Sequence, residues 1–255
     1  MDTKFEFVRD FLKAGHPKIP EANISDLTTP VVYFGQYISA KAATVGINPS
    51  DREFFEKDQT LFKHDSKRLT DAEKLGKSFC AGLSDHEIQK IISGCDNYYK
   101  SMNAYMTWFN PLQQVAQYSI KSSYVDGSLC HIDLLPWATS TKWGKLQKTT
   151  KEELLEAGRP FFEGLVKNSG FQYLFLNGRS VIDAFCKTIE PLNEIDRVSF
   201  LSVEGNKTNR SYGLWKSNWN GKTVVGWSVN LQSSHGVSKP MILDLGQRLK
   251  KVLNT

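Results

Sequence analysis

The sequence predicts an α/β protein, a three-layer α/β/α sandwich around a short, mainly parallel central sheet of four strands. Four short apolar runs are each bounded by Pro, Gly or Asn, which is typical of strands buried on both faces. Helical patterns alternate with these runs, as in parallel sheets joined by right-handed crossovers. The predicted strands cover residues 42–47, 129–135, 171–176 and 222–230.

Caps and apolar spacing predict the helices. Carboxylates interrupt the apolar residues near the start of the chain, which favours an amphipathic helix over a signal peptide. Thr150 and Glu153 form a capping-box pattern, so we expect a helix from there to about Asn168, kinked at Pro160. Apolar residues at helical spacing indicate a short helix after the third strand and a last helix capped by Ser238.

We predict one domain over residues 1–255, because the chain has no repeat, low-complexity tract or linker. Within it, residues 1–41 form the N-terminal helix and its lead-in, and residues 51–118 form a long, mostly helical insertion. Five aromatic residues of this insertion are expected in the core: Tyr98, Tyr99, Tyr105, Trp108 and Phe109.

Composition excludes several classes of protein. With 40% apolar and 23% charged residues, the chain is neither a disordered tail nor collagen-like. No window approaches the ~18 apolar residues that span a bilayer, so we expect a cytoplasmic protein without a membrane partner. The 4 cysteines form no C-x-x-C pair and are expected to be reduced. Asp71 replaces the first glycine of a phosphate-binding loop that would end at Gly76-Lys77-Ser78. We therefore predict no metal and no cofactor.

Cations are concentrated in three stretches, although the net charge is only +5. Residues 137–151 contain four lysines and two tryptophans, residues 206–222 contain three lysines, one arginine and two tryptophans, and neither stretch has a carboxylate. A third group begins at Lys239. Phosphates favour such clusters, and bases stack on aromatic rings between them. Nucleic acid is therefore the predicted partner; the alternative is solvated loops with their aromatic residues turned inward. The candidate DNA contacts are Lys142, Lys145, Arg210, Lys216, Lys222 and Lys239.

Ligands of such sheets bind beyond the carboxyl ends of the strands. The first predicted strand ends in Val45-Gly46-Ile47-Asn48-Pro49-Ser50. This G-I-N-P run resembles the first catalytic motif of the uracil-DNA glycosylase superfamily, and is closest to its mismatch-specific and single-strand-selective branches. The order of the later strand ends agrees over roughly residues 42–253. The resemblance implies a monomeric, monofunctional DNA glycosylase that flips a base out of DNA and needs no metal.

By this resemblance Asn48 holds the water that attacks the deoxyribose C1′, and Pro49 stiffens the turn. An amide is a weak base, but an oxocarbenium-like sugar needs only an oriented water. Asp51 lies nearby and could add carboxylate character. The alternative is an ordinary turn at the end of a strand. The neighbouring residues expected at the substrate are Gly46, Ile47 and Ser50.

The second motif of the superfamily normally reads H-P-S followed by a hydrophobic wedge. Its counterpart here is the run Ser233-Ser234-His235-Gly236-Val237-Ser238. His235 would donate a hydrogen bond to the base oxygen that becomes negative as the glycosidic bond breaks. Ser234 would lie at the substrate, and Val237 could fill the gap left by the flipped nucleotide. The alternative is a surface histidine in a polar loop.

Asp133 stands where most uracil-excising relatives place an asparagine that reads the base. A carboxylate can only accept hydrogen bonds, so it repels O4 of uracil and suits the exocyclic amine of cytosine. Removal of ordinary cytosine would destroy the host genome. We therefore predict a modified cytosine as the substrate, as in a defence against phage DNA. The alternative is an aspartate that caps or ion-pairs at a strand end.

Two further substrate contacts are predicted: Phe62, the candidate chosen to stack on the base in place of Phe54 or Phe55, and Asn177, at the end of the third strand. Each of these phenylalanines could instead belong to the core. Two other functions remain open, a uracil-DNA glycosylase of base-excision repair and a non-catalytic nucleic-acid-binding module with the same fold. A small-molecule hydrolase lacks support, since no G-x-S-x-G motif is present.

Overall fold

The computed structural model describes residues 6–200, 210–232 and 237–254. Within these ranges it contains one six-stranded sheet and six α-helices, so the predicted α/β class is confirmed. The strands are β1 (Ala42–Gly46), β2 (Leu129–Asp133), β3 (Tyr173–Asn177), β4 (Asn193–Phe200), β5 (Arg210–Trp219) and β6 (Lys222–Trp227). The helices are α1 (Glu6–Ala14), α2 (Asp85–Asp96), α3 (Met106–Ile120), α4 (Lys148–Lys167), α5 (Arg179–Thr188) and α6 (Lys239–Leu253).

The strand order is β2-β1-β3-β6-β5-β4. The four predicted strands correspond to β1, β2, β3 and β6, and all residues of β1 and β2 are buried. Strand β3 pairs in parallel with both β1 and β6, placing Phe175 opposite Thr44 on one side and opposite Val225 on the other. The apolar runs therefore marked the buried part of the sheet correctly.

The sheet has two strands that the sequence analysis did not predict. Strand β5 pairs antiparallel with β6, and β4 pairs antiparallel with β5 at the edge of the sheet. Strand β4 carries Glu194, Asp196 and Arg197 on exposed positions and so offers no apolar run. The overlooked signal is the turn Asn220-Gly221, whose φ angles of 50° and 73° suit a two-residue hairpin between β5 and β6.

The chain divides into two compact units, and the single-domain interpretation stays a prediction. In the first unit α1 packs on α4, where Phe11 stacks on Phe161 with ring centroids 4.1 Å apart. In the second unit α3 packs against α6, and a Cβ at Gly246 would lie 2.5 Å from Tyr118 Cβ. The first unit comprises Met1–Ile38, Gly46–Tyr105 and His131–Ser169. The second comprises Ser39–Val45, Met106–Cys130 and Gly170–Thr255.

The predicted helices are present with shifted boundaries. Helix α4 begins at Lys148, after a Gln147 N-cap without a side-chain hydrogen bond, so the predicted capping box at Thr150 is wrong. The helix continues through Pro160 to Lys167. Ser238 caps α6 as predicted, since its hydroxyl accepts a hydrogen bond from the Met241 N–H at 3.4 Å.

The region 51–118 is less helical than predicted. Its first half consists of loops and short 3-10 turns, and α2 begins only after a capping box formed by Ser84 and Glu87. Tyr98 and Phe109 are buried as predicted, whereas Tyr105 is 39% exposed and lies outside the core. The cysteines are free thiols, and three of the four are buried. None of the helices in the described ranges is long and apolar enough to cross a membrane.

Candidate functional site

The carboxyl ends of β1 and β2 lie side by side. The Leu135 N–H donates a hydrogen bond of 2.9 Å to the Ile47 carbonyl, so the segments that follow the two strands stay paired. Open α/β sheets bind ligands just beyond the carboxyl ends of their strands. The residues at this point are Asn48, just after β1, and Asp133, the last residue of β2.

Gly46 and Asp133 approach each other too closely for any side chain at position 46. A Cβ on Gly46 would lie 2.2 Å from Asp133 Oδ1 and 3.1 Å from His131 Nε2. The Asp133 side chain is 2% exposed, and its Oδ1 lies 3.4 Å from His131 Nε2. No group of the described residues donates a hydrogen bond to this Oδ1. A buried carboxylate oxygen without a donor is costly, so it is the atom here best suited to meet a ligand N–H.

Glu53 belongs to the same site, although the sequence analysis did not select it. It closes the 3-10 turn Asp51–Glu53 and is only 4% exposed. Its Oε2 accepts a hydrogen bond of 2.7 Å from the Tyr98 hydroxyl and lies 3.9 Å from Arg68 Nη1. Burial raises the pKa of Glu53 to about 7, and the charge of Asp133 acts in the same direction. The hydrogen bond from Tyr98 and the charge of Arg68 lower the pKa and offset part of this rise. Glu53 therefore changes protonation near neutral pH.

Arg68 links Glu53 to the aromatic residues of the site. Its guanidinium carbon lies 5.0 Å from the centroid of the Phe62 ring and 4.9 Å from that of Tyr105, within cation–π distance of both. Phe62 is buried, and Arg68 covers one face of its ring. Phe62 is thus in the same cluster as Glu53, and stacking on a base stays a prediction for its other face. Phe54 and Phe55 are also buried.

The amide of Asn48 is held in one orientation. Its Nδ2 donates to the Thr139 hydroxyl at 3.1 Å and to the Pro49 carbonyl at 3.1 Å. Since the Thr139 hydroxyl itself donates to the Thr141 carbonyl, it can only accept from Asn48. The Oδ1 of Asn48 has no hydrogen-bond partner among the described residues. The half-buried amide therefore offers a fixed acceptor, the property needed to orient a water.

The other residues of the first motif have mainly local roles. Pro49 is buried, and Ser50 forms a backbone bridge with Thr139 that fixes the loop. Asp51 is half-buried, and its Oδ1 accepts a 3.3 Å hydrogen bond from the Ser50 hydroxyl. Ile47 is half-buried beside Asn48. The described contacts include no bond between Asp51 and Asn48, so a catalytic carboxylate at Asp51 stays a prediction.

Asn177 forms hydrogen bonds within the fold, and its role as a substrate contact stays a prediction. Its Oδ1 accepts hydrogen bonds from Trp227 Nε1 at 3.0 Å and from the Leu231 N–H at 3.1 Å. Its Nδ2 donates to the side-chain oxygens of Asn230 and Gln232. The buried amide is therefore fully used in fixing the loop after β6.

That loop leads to the predicted second motif. Ser234 and His235 lie outside the described residues, so their assignments stay predictions. Val237 is half-buried and immediately precedes the cap of α6, and Lys239 at the start of α6 is exposed. Arg210 is the first residue of β5.

In the first cationic stretch, residues 137–151, most lysines are exposed, whereas Trp137 is buried. Lys142 and Lys145 are exposed on either side of Trp143, and the Lys151 ammonium lies 5.7 Å from the centroid of that indole. Trp137 is buried, so for this residue the inward alternative holds. Lys142 and Lys145 remain available to phosphates.

Two lysines of the second stretch are used inside the protein. Lys222 is buried, donates a 3.0 Å hydrogen bond to the Phe171 carbonyl, and has a pKa lowered by burial. Lys216 donates at 2.8 Å to the Val252 carbonyl. Both ammonium groups thus donate to backbone carbonyls, and the roles of Lys216 and Lys222 as phosphate contacts stay predictions.

No protein-family model matches the chain, and no curated protein matches its sequence. In the described part of the chain, no group of three or more His, Cys, Asp and Glu side chains is arranged to hold a metal ion. The function must therefore be inferred from the residues at the strand ends.

We expect Gly46→Ala to destabilise the protein by about 1–3 kcal/mol, because the new methyl group overlaps the Asp133 carboxylate. Urea unfolding of Gly46→Ala, Asp133→Ala and the double variant measures the coupling between the two positions. We expect the Gly46→Ala penalty to shrink by about 0.5–3 kcal/mol when Asp133 is already alanine. Gly144→Ala, in open space, is the matched control. Additive effects of Gly46→Ala and Asp133→Ala would contradict the close approach.

We expect Glu53 to make the wild-type protein less stable as pH rises from about 4.5 to about 7. The folded state holds the Glu53 proton to higher pH than the unfolded state, so this contribution is complete below the unfolded pKa and is lost through the folded pKa. Relative to Glu53→Gln, which keeps an acceptor for Tyr98, the wild type should lose up to about 1.4 kcal/mol per pH unit in this window. Denaturant titrations from about pH 4 to about pH 8 measure this loss. Glu56→Gln, at an exposed position, is the control, and a pH-independent difference between wild type and Glu53→Gln would refute the expectation.

Proposed function

We propose that the protein is a DNA glycosylase that hydrolyses the N-glycosidic bond of a flipped-out pyrimidine, and that the pyrimidine is a modified cytosine. The observation that carries the proposal is the buried Asp133 carboxylate, whose Oδ1 has no donor among the described residues and lies against Gly46, two residues before Asn48. Asp133, which would read the base, and the Asn48 amide, which would orient the water, thus lie at neighbouring strand ends. The proposal includes the three-layer arrangement of helices around the sheet.

In this mechanism Asn48 acts on the attacking water. The bond between C1′ and N1 of the base breaks first, and its electron pair leaves with the pyrimidine. The resulting oxocarbenium-like sugar accepts a water held by Asn48 Oδ1, and the water proton passes to solvent. Orientation is the main requirement, because the sugar cation is reactive enough to accept a neutral water. The fixed Asn48 amide supports this role.

Asp133 would select the base. A carboxylate accepts hydrogen bonds and cannot donate, so it suits the N4 amine of cytosine and opposes O4 of uracil. A feature of the modified base that ordinary cytosine lacks must protect the host genome. Modified cytosine confined to foreign DNA, such as that of phage, satisfies this requirement. Exposed Lys142 and Lys145 would contribute phosphate contacts.

A second candidate, uracil excision in DNA repair, is favoured by Glu53. Burial raises the pKa of this carboxyl to about 7, so Glu53 can hold a proton near neutral pH. A protonated carboxyl donates to O4 while its other oxygen accepts from N3–H, and uracil then fits. Uracil excision that exceeds excision of modified cytosine and fades above about pH 7 would identify this candidate.

Excision assays test the proposal. Single-stranded and duplex oligonucleotides carrying one uracil, one cytosine or one cytosine substituted at C5 are incubated with the protein, and alkali then cleaves abasic sites. We expect strand cleavage for a substituted cytosine and none for cytosine. Asn48→Ala should lower the excision rate by about 10²–10³, the usual loss for one preorganised polar group, with DNA binding retained.

Asn193→Ala, at an exposed position of β4, is the matched control and should leave excision unchanged. Full activity of Asn48→Ala would remove the water-orienting role from this residue. DNA binding without excision of any base would replace the proposal with a non-catalytic binding module.

A further inference from the structure

A polar cleft lies beside α2, away from the strand ends. One face of α2 is buried through Ile88, Ile91 and Ile92. The opposite face carries hydrogen-bonding side chains at helical spacing and borders the segment 67–74, leaving a cleft of about 670 Å³. The side chains that matter for its chemistry are Lys67, Arg68, Lys74, Lys90, Ser93 and Asn97.

Gly94 allows the two walls of the cleft to approach each other. A Cβ at this position would lie 3.0 Å from Thr70 Oγ1, which donates a hydrogen bond to the Lys90 carbonyl on α2. The buried Asp71 and Thr70 anchor the segment from the other side. The cleft is therefore a fixed feature of the first unit.

The lining of the cleft carries four lysine and arginine cations and no carboxylate. Lys67 is already neutralised, since its ammonium binds Asp71 and lies 2.8 Å from Glu73. The exposed ammonium groups of Lys74 and Lys90 have neither a hydrogen bond nor an ion pair with any described residue. They extend from different segments, so they can neutralise two separate anionic groups.

The lining of the cleft suits phosphate better than a base. No Phe, Tyr or Trp among the described residues lines it, so the imidazole of His86 is the one aromatic ring in its lining on which a base could stack. Lysine ammonium groups with serine and asparagine side chains are typical contacts for a phosphodiester backbone. Its volume also lies in the range of ligand sites, ~300–1,000 Å³, and so exceeds the needs of one phosphate ion.

We propose that this cleft binds consecutive phosphates of a DNA strand that flanks the nucleotide in the candidate site. Arg68 connects the two places, because it lines the cleft and also contacts Phe62, Tyr105 and Glu53. The choice of DNA as the strand rests on the proposed function. The charged cleft itself is independent of any excision chemistry.

Binding measurements test the cleft without requiring catalysis. The probe is a fluorescein-labelled single-stranded oligonucleotide of about 20 nucleotides without modified bases, longer than a typical single-strand site. Its Kd is measured by anisotropy over a range of salt concentrations. For Lys74→Glu/Lys90→Glu we expect at least about tenfold weaker binding at low salt. The slope of log Kd against log salt should fall by about 1.4, or about 0.7 for each phosphate that the variant no longer neutralises.

Lys41→Glu/Lys167→Glu is the matched control, because it reverses the same charge at exposed lysines outside the cleft and the cationic stretches. Its salt slope should equal that of wild type, and thermal unfolding should show all three proteins folded. An unchanged slope in the cleft variant, or an equal fall in the control, overturns the proposal. Tight wild-type binding without excision of any base refutes the proposed glycosylase and leaves the cleft proposal standing.

A second arm separates a DNA backbone from a free phosphate. Inorganic phosphate is titrated into wild type and Lys74→Glu/Lys90→Glu by calorimetry. We expect the oligonucleotide to bind far more tightly than inorganic phosphate, and only the oligonucleotide affinity to depend strongly on the two lysines. Loss of phosphate binding in the variant, with oligonucleotide binding unchanged, would make the cleft a free-phosphate site and overturn its assignment to DNA.

Discussion

The site depends on the close approach of the Asp133 carboxylate to the backbone of Gly46. Only glycine leaves the space that Asp133 Oδ1 occupies, and the buried oxygen is left without a donor among the described residues. In the folded protein this is a cost, since a buried oxygen loses its water and gains little in return. Such a cost is typical of functional sites, where a ligand completes the hydrogen bonds that the protein leaves open.

Glu53 adds a second buried carboxyl to this region. Burial raises the pKa of Glu53, and the charge of Asp133 acts in the same direction, whereas the Tyr98 hydroxyl and the Arg68 guanidinium offset part of this effect. The protonation of Glu53 would then influence which hydrogen bonds the pocket offers to a base. Arg68 contacts Glu53 and the aromatic residues and also lines the basic cleft. A phosphate in the cleft would therefore compete with Glu53 for the charge of the Arg68 guanidinium.

Much of the sheet could be predicted because strands buried on both faces appear in the sequence as short apolar runs. The four predicted runs that correspond to β1, β2, β3 and β6 are mostly apolar. Asn48 and Asp133 could be selected because they are polar residues at the ends of the first two runs. Strand β4 was missed because this edge strand carries charged residues, which protect it from aggregation and hide its pattern. The signal for β5 was the Asn220-Gly221 turn, which joins β5 to β6 in a hairpin.

Other features depend on tertiary contacts that no local pattern encodes. Nothing in the sequence around Glu53 shows that its carboxyl would be buried beneath Tyr98. Asn177 ends β3 much as Asn48 comes just after β1, yet the Asn177 amide oxygen accepts hydrogen bonds from Trp227 and from the loop after β6. Lys222 lies in a cationic stretch but is buried, with its ammonium on a backbone carbonyl.

The most direct test of the central claim, that Asp133 reads the base, is the ratio of excision rates for C5-substituted cytosine and uracil in wild type and Asp133→Asn. An asparagine amide can donate to O4 and accept from N3–H, so the ratio should shift toward uracil by about 1–3 kcal/mol, or roughly 5- to 150-fold. The shift should persist well above neutral pH, where a carboxyl with a pKa of about 7 is ionised. A wild type that prefers uracil at every pH, with the same ratio in Asp133→Asn, would contradict the claim.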